Sequence, residues 1–217
     1  MVSNTTQIEV ALFPIPNVVA FPGTILPLHV FEPRYRRLIH DCVGNGRMVG
    51  VSHVVKTIHR ARERQSLEQA LSTNQATYKP REVFSAGPCE IVETTQDGRM
   101  LVNIAMSQRL TLVDEIQSLP YRIVTCSVFE DEDSATTHTD ASVLQKSIIE
   151  RLVEITGAEN SVFAEELESP AWASLESREF SFKIFQVLHL EPDVMQHVLE
   201  TQSASARLEI IWNLLRA

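Results

Sequence analysis

The sequence predicts a mixed α+β protein: a strand-rich N-terminal part that carries one helix, followed by a helical C-terminal part. Three observations lead there. Short apolar runs bounded by proline, glycine or asparagine recur from residue 8 to residue 129, which is the rhythm of strands and turns. The stretch EDEDSATTHTD at 130–140 is acidic and lacks large apolar residues, a composition suited to a linker. Beyond it, apolar residues return at helical spacing, beginning with Leu144, Ile148, Leu152 and Ile155. On this reading a β-rich subdomain spans 1–130, a linker 131–138 and a helical subdomain 139–217.

The elements follow in order. IEVALF (8–13) and ILPLHVF (25–31) read as short strands separated by a rigid, proline-rich crossing. Pro14 and Pro16 favour an extended chain before them, and Pro22-Gly23 is a turn signal. Pro27 lies inside a strand pattern, so that strand belongs at a sheet edge or at a bulge. Pro33 suits the first turn of a helix, where its missing N–H has no intrahelical acceptor. Tyr35, Leu38, Ile39, Cys42 and Val43 then form an apolar stripe, and Gly44-Asn45-Gly46 ends it. RMVGVSHVV (47–55) is a valine-rich strand. FSAGPCEIVETTQ (84–96) and RMLVNIAMSQRLTLVDEI (99–116) face each other across Asp97-Gly98, a hairpin signal. Met100, Val102, Ile104 and Met106 share one face of the second arm. YRIVTCSVF (121–129) is the last strand.

Residues 56–82 break this rhythm and read as a long exposed loop with a short helix around 66–71. In the C-terminal part, the helix begun near Thr139 or Asp140 stops at Gly157. Further helices are expected over about 174–190, after Pro192, and from near Ser205 to Leu215. Helices this short need tertiary packing to persist.

Composition narrows the function. The formal net charge of −9 disfavours a general nucleic-acid or anionic-membrane binder. The three cysteines, Cys42, Cys89 and Cys126, are far apart and form no CxxC pair, so they read as thiols in a reducing cytoplasm rather than a zinc site or disulfide framework. The seven histidines show no HxxxH or HExxH spacing. No secretory signal or membrane-length apolar run is evident. The expectation is a soluble, cytoplasmic protein without cofactor or metal.

The opening LFPIPNVVAFPG (12–23), the LPLHVFEPRY that follows (26–35), GRMVGV (46–51), and GPCEIV with DGR (87–99) together resemble the LON substrate-binding domain family, the N-terminal domain type of the ATP-dependent protease Lon. RLEIIWNLL (207–215) fits its helical tail more loosely, and 56–82 is longer and more polar than the family pattern. The resemblance implies a PUA-like β-barrel followed by a helical bundle. It implies binding of unfolded or extended polypeptide, or of a specific protein partner, rather than chemistry. No GxxxxGK[ST] is present to cradle phosphates, and 217 residues leave little room for a peptidase. A stand-alone, non-enzymatic binding module is expected.

The expected peptide-binding residues are Val19, Phe21, Pro22, Pro27, Glu32, Arg34 and Tyr35. In the loop at 18–22, an exposed Phe21 would be an aromatic anchor; a buried Phe21 would instead plug the barrel. An edge strand at Pro27 could accept a peptide as an added strand. Glu32, Arg34 and Arg36 would form a charged rim; the alternative is a helix start with Glu32 at its positive end and the arginines in solvent. Two other functions stand beside this one. The run His59, Arg60, Arg62, Arg64 would serve an RNA-binding PUA-like protein, although it lacks interleaved aromatics. Cys126 or a histidine would serve an unrecognised hydrolase, although no base lies beside Cys126 in the sequence.

Overall fold

The computed structural model describes residues 7–59, 76–132, 138–156 and 161–216. The chain divides into two compact units, Met1–Phe129 and Glu130–Ala217.

In the first unit, five strands close a barrel in the order β1 (Ile8–Pro14), β10 (Arg122–Val128), β9 (Gln108–Gln117), β6 (Val83–Gly87) and β3 (Val49–Ser52). All neighbours are antiparallel except β1 and β3. Val10 and Leu12 of β1 join Phe84, Ala86, Leu110, Val124 and Cys126 in one core. Ala11 and Phe13, on the opposite face, join a second core with residues of α1 (Pro33–Asn45) and β8 (Met100–Ala105). Burial on both faces explains why the first strand reads as a continuous apolar run rather than an alternation.

A three-stranded sheet, β2 (Ile25–Val30), β8 and β7 (Cys89–Thr94), packs into the second core beside Val49, Val51, Tyr121 and Ile123 of the barrel strands and their turn. Met100, Val102, Ile104 and Met106 point there together. The 84–116 hairpin has its expected turn, with Gly98 at φ 82°. Each arm, however, bends and serves two sheets: β6 passes to β7 at Pro88, and β8 passes to β9 at Met106-Ser107. Backbone bonds from Ser107 N–H to the Ala86 carbonyl (2.9 Å) and from Ala105 N–H to the Pro88 carbonyl (3.0 Å) carry the pairing through the bend. Proline at 88 cannot donate to a ladder, which suits a corner.

The segment read as a loop over 56–82 is partly strand. β4 (Val54–His59) and β5 (Thr77–Pro80) pair antiparallel. The β-branched and aromatic residues Val54, Val55, Thr57, Ile58, Thr77 and Tyr78 favour extended chain, and pairing meets their backbone hydrogen-bonding needs. The helix expected around 66–71, and Arg60, Arg62 and Arg64, lie outside the described residues.

The second unit contains α2 (His138–Thr156), α3 (Ser161–Leu167), α4 (Pro170–Ala173), α5 (Ser177–Lys183), a 3-10 turn (Ile184–Gln186), α6 (Pro192–Glu200) and α7 (Ala204–Arg216). The long helix expected over 174–190 is thus shorter and ends in the 3-10 turn. Helices α3 and α4 lie outside the helices expected from the sequence. Pro170 starts α4 as Pro33 starts α1. On α2 the buried face is Ala141, Gln145, Ile148 and Leu152, whereas Ile155 is half exposed. Gly157, expected to stop α2, lies outside the described residues, as do the side chains of Thr139 and Asp140.

Asp131 is not an exposed linker carboxylate. Both of its oxygens accept from the guanidinium of Arg207, at 2.7 and 2.8 Å. The Arg207 side chain is fully buried and that of Asp131 nearly so. Arg207 also donates to Ser181 Oγ (2.9 Å) and the Thr201 carbonyl (2.9 Å), and lies 4.1 Å from the centre of the Phe182 ring. Among the described residues, no helix is long and apolar enough to cross a membrane.

Candidate functional site

The start of α1 builds one wall of a cleft. Glu32 sits at the N-cap but makes no side-chain cap bond. Its carboxylate instead pairs with Arg34 at 2.9 Å, both side chains being about nine-tenths buried. Arg34 further donates to the Ala76 carbonyl at 2.5 Å and lies 4.6 Å from the centre of the Tyr35 ring. Tyr35 stacks on Phe13 with ring centres 3.9 Å apart, and its burial pushes the phenol up to about 12. The arginines of this helix start therefore do not simply face solvent. Arg36 also turns inward, donating to the Gly98 carbonyl at 3.2 Å. Arg37 is the exposed one.

The opposite wall is the turn between β9 and β10. It carries Leu119, which is 78% exposed. The Leu119–Pro120 peptide bond is cis. Gln117 Nε2 closes the turn on the Tyr121 carbonyl at 2.9 Å. The Tyr121 hydroxyl donates to Asp41 Oδ2 at 2.8 Å, and Asp41 in turn accepts from Arg37 Nε. This chain of bonds ties the turn to α1. Between the walls lies a cavity of about 270 Å³, lined among others by Arg34, Tyr35, Tyr78, Leu119, Pro120 and Arg122. A second, more open groove shares Arg34, Leu119 and Pro120 with it and is also lined by Pro33 and Arg37. Leu119-Pro120 is thus a ridge that both concavities share.

Asp41 sets a pH limit on this geometry. Its bonds from Arg37 and Tyr121 hold its pKa below the usual carboxylate range. A depressed pKa means that the stabilisation is present above the ordinary value, near 4, and is lost as pH falls through the lower folded value. Methyl NMR of Leu119 should be invariant from pH 7 to 5 and should shift below about pH 4. Asp41→Asn should remove that transition; its persistence in the variant would exclude Asp41 as its origin.

The structure brings Glu32, Arg34 and Tyr35 together at the cleft. It does not bring the other expected residues there. Phe21 is 2% exposed and presents no free aromatic face, which corrects the reading of Phe21 as an exposed anchor. Its loop is rooted in the barrel: buried Ser85 donates to the Ala20 carbonyl at 2.6 Å, and Thr24 Oγ1 to the Phe21 carbonyl at 2.7 Å. Val19 and Pro22 are only half-buried. Pro27 is exposed on β2, which is indeed an edge strand of its sheet. Proline offers no N–H there, however, so the middle of that edge is a poor template for an added strand. The sequence signal for the missed residues was SLPYR at 118–122: a large apolar residue in a proline turn, with no strand or helix face to bury it.

The thiols are poor nucleophiles. Burial pushes Cys42 and Cys126 up to about 12 and raises Cys89 as well, so the reactive thiolate is scarce. Cys126 is fully buried in the barrel core.

A closed barrel unit followed by a helical unit defines the class: this is the fold of Lon N-terminal domains. The chain is similar to the N-terminal domain of Mycobacterium avium complex Lon protease, with a TM-score of 0.68 at 11% identity, covering 96% of this chain and 98% of that one. It is also similar to a Lon N-terminal domain protein from Xanthomonas campestris, with a TM-score of 0.60 at 16% identity, covering 96% and 97%. Residues 9–217 match the ATP-dependent protease La (LON) substrate-binding domain, and the chain belongs to that family. In sequence it is 26% identical to Lon protease 1 of Herpetosiphon aurantiacus over 152 residues, which is 68% of this chain and 17% of that protein.

Proposed function

We propose that this protein is a non-enzymatic recognition module that binds extended or unfolded polypeptide, with the Leu119-Pro120 ridge and the cleft beside it as the contact. Membership of a substrate-binding domain family supports the general role. The observation that carries the site is Leu119 itself: a large apolar side chain, 78% exposed, held on a turn that is bonded to α1. Exposing it costs hydrophobic burial, and the bonded turn limits the entropy lost when a partner docks. Arg34 and Tyr35 belong to the contact because they line the cleft. Glu32 acts through Arg34.

Fluorescence anisotropy with a labelled, permanently unfolded polypeptide tests the proposal. Saturable binding is expected, and Leu119→Ser should weaken it by about tenfold or more, the effect of removing an interface anchor. This residue is exposed, so the variant should fold normally. Unchanged affinity in Leu119→Ser would remove the ridge as the site. No binding by the parent protein would remove the function.

A further inference from the structure

The hairpin that joins β3 to β6 leaves the barrel as a bare ribbon. Val51 pairs with Ser85 in the barrel sheet, and Arg81 N–H bonds the His53 carbonyl at 2.8 Å. Beyond that point β4 and β5 pair only with each other. Their sequences, VVKTIH and TYKP, carry two lysines and a histidine and no aspartate or glutamate. Lys56 and Lys79 stand directly opposite each other in the register, and both are exposed. Like charges so placed oppose strand pairing. Among the described residues, neither lysine has an ion-pair or side-chain hydrogen-bond partner. In sequence, residues 54–82 hold six of the 19 basic residues of the chain and only three of its 28 acidic ones. On a protein of formal net charge −9 the ribbon is a local exception in sign.

Two like charges facing each other without a counter-charge are relieved by a bound anion. We propose that the face of the β4–β5 ribbon bearing Lys56 and Lys79 binds the phosphate backbone of a single-stranded nucleic acid. This function does not depend on the reading of Leu119. Opposed Cβ atoms in such a pair lie about 5 Å apart, so the two ammonium groups can bracket one phosphate or reach neighbouring ones. Each ammonium has three N–H donors to offer. Contacts of this kind release counterions from the strand whatever its base sequence. His59 adds a ring to the same face. It pairs with Thr77, which lies two positions from Lys79 on β5, so their side chains share a side of the ribbon. His59 is exposed, and an unstacked base can lie on its imidazole. The bases of a duplex are stacked on one another, which favours a single strand as the partner.

The test uses the full chain and a labelled single-stranded oligonucleotide of mixed sequence, with anisotropy followed over a range of salt concentrations. Two phosphate contacts on a single strand predict a slope of log affinity against log salt of about −1.4, or roughly sevenfold weaker binding at about 200 mM than at about 50 mM salt. Lys56→Gln with Lys79→Gln should remove most of that slope. Lys56→Glu sets opposite charges across the ribbon, so it should abolish binding without lowering the thermal midpoint. A pair that served only the fold would not separate those two readouts. His59→Ala should weaken binding by about fivefold or more, the effect of losing one stacked base, and leave the salt slope as it was. No binding by the parent protein, or a slope that survives the loss of both lysines, would overturn the proposal. Equal affinity for inorganic polyphosphate with the same number of phosphates would overturn the nucleic acid as the partner.

Discussion

Replacing Asp131 with alanine is expected to cost the helical unit about 3–5 kcal/mol, the usual price of breaking a buried ion pair by removing one partner. The reason is what stays behind. Arg207 is fully buried, and its two bonds to Asp131 at 2.7 and 2.8 Å offset much of the cost of holding a guanidinium away from water. Ser181, the Thr201 carbonyl and the Phe182 ring would remain, but none carries a negative charge. Both tryptophans, Trp172 and Trp212, belong to this unit, so tryptophan fluorescence in urea reports on it directly. The transition midpoint should fall sharply. Replacing both partners with apolar residues, Asp131→Leu with Arg207→Met, should recover a large part of the loss, because the stranded charge is gone. A shift in Asp131→Ala no larger than about 0.5 kcal/mol, the range of ordinary surface substitutions, would show that the pair contributes little.

The second large effect is at Gly87. A Cβ built there would fall on the backbone carbonyl of Ala105. A backbone atom cannot move aside as a flexible side chain can, and this is where β6 and β8 approach each other at the bend of the long hairpin. Gly87→Ala should therefore force the two strands apart and destabilise the barrel unit by about 3 kcal/mol or more, the scale of severe overpacking. The three tyrosines, Tyr35, Tyr78 and Tyr121, all lie in this unit. Near-ultraviolet circular dichroism together with the thermal midpoint should therefore register the change. Gly44 provides the control, since nothing lies within 4 Å of a Cβ built there; Gly44→Ala should leave the midpoint nearly unchanged. Equal midpoints for the two variants would mean that the close approach at Ala105 is not a constraint.

The proposed contact surface was less legible than the fold. Glu32, Arg34 and Tyr35 surround a proline at a helix start; Arg34 and Tyr35 line the cleft, and Glu32 pairs with Arg34. Phe21 stood out for its size and its proline-rich setting, but a sequence cannot say whether an aromatic in a loop turns in or out. Here the loop is bonded to the barrel through Ser85, 65 residues away, and Phe21 turns in. Leu119 drew no notice because a single apolar residue in a turn has no periodicity. Its meaning appears only when Tyr121 reaches Asp41, 80 positions earlier in the chain.

The sequence by itself determined what depends on near neighbours. Period-2 alternation set the core face of β8, Asp97-Gly98 set the hairpin turn, Pro33 set the start of α1, and helical spacing set the character of the C-terminal half. Each is a preference of a few consecutive residues. Only the tertiary structure decided what depends on distant segments: that both long hairpin arms bend at Pro88 and Met106 to serve two sheets, that β4 and β5 pair, that Asp131 is an ion-pair partner rather than a linker charge, and that Arg34, Arg37 and Arg122 gather around Leu119. The physical reason is the same in each case. Burial, ion pairing and steric exclusion are properties of the space between segments, and no local pattern encodes which segment will occupy that space.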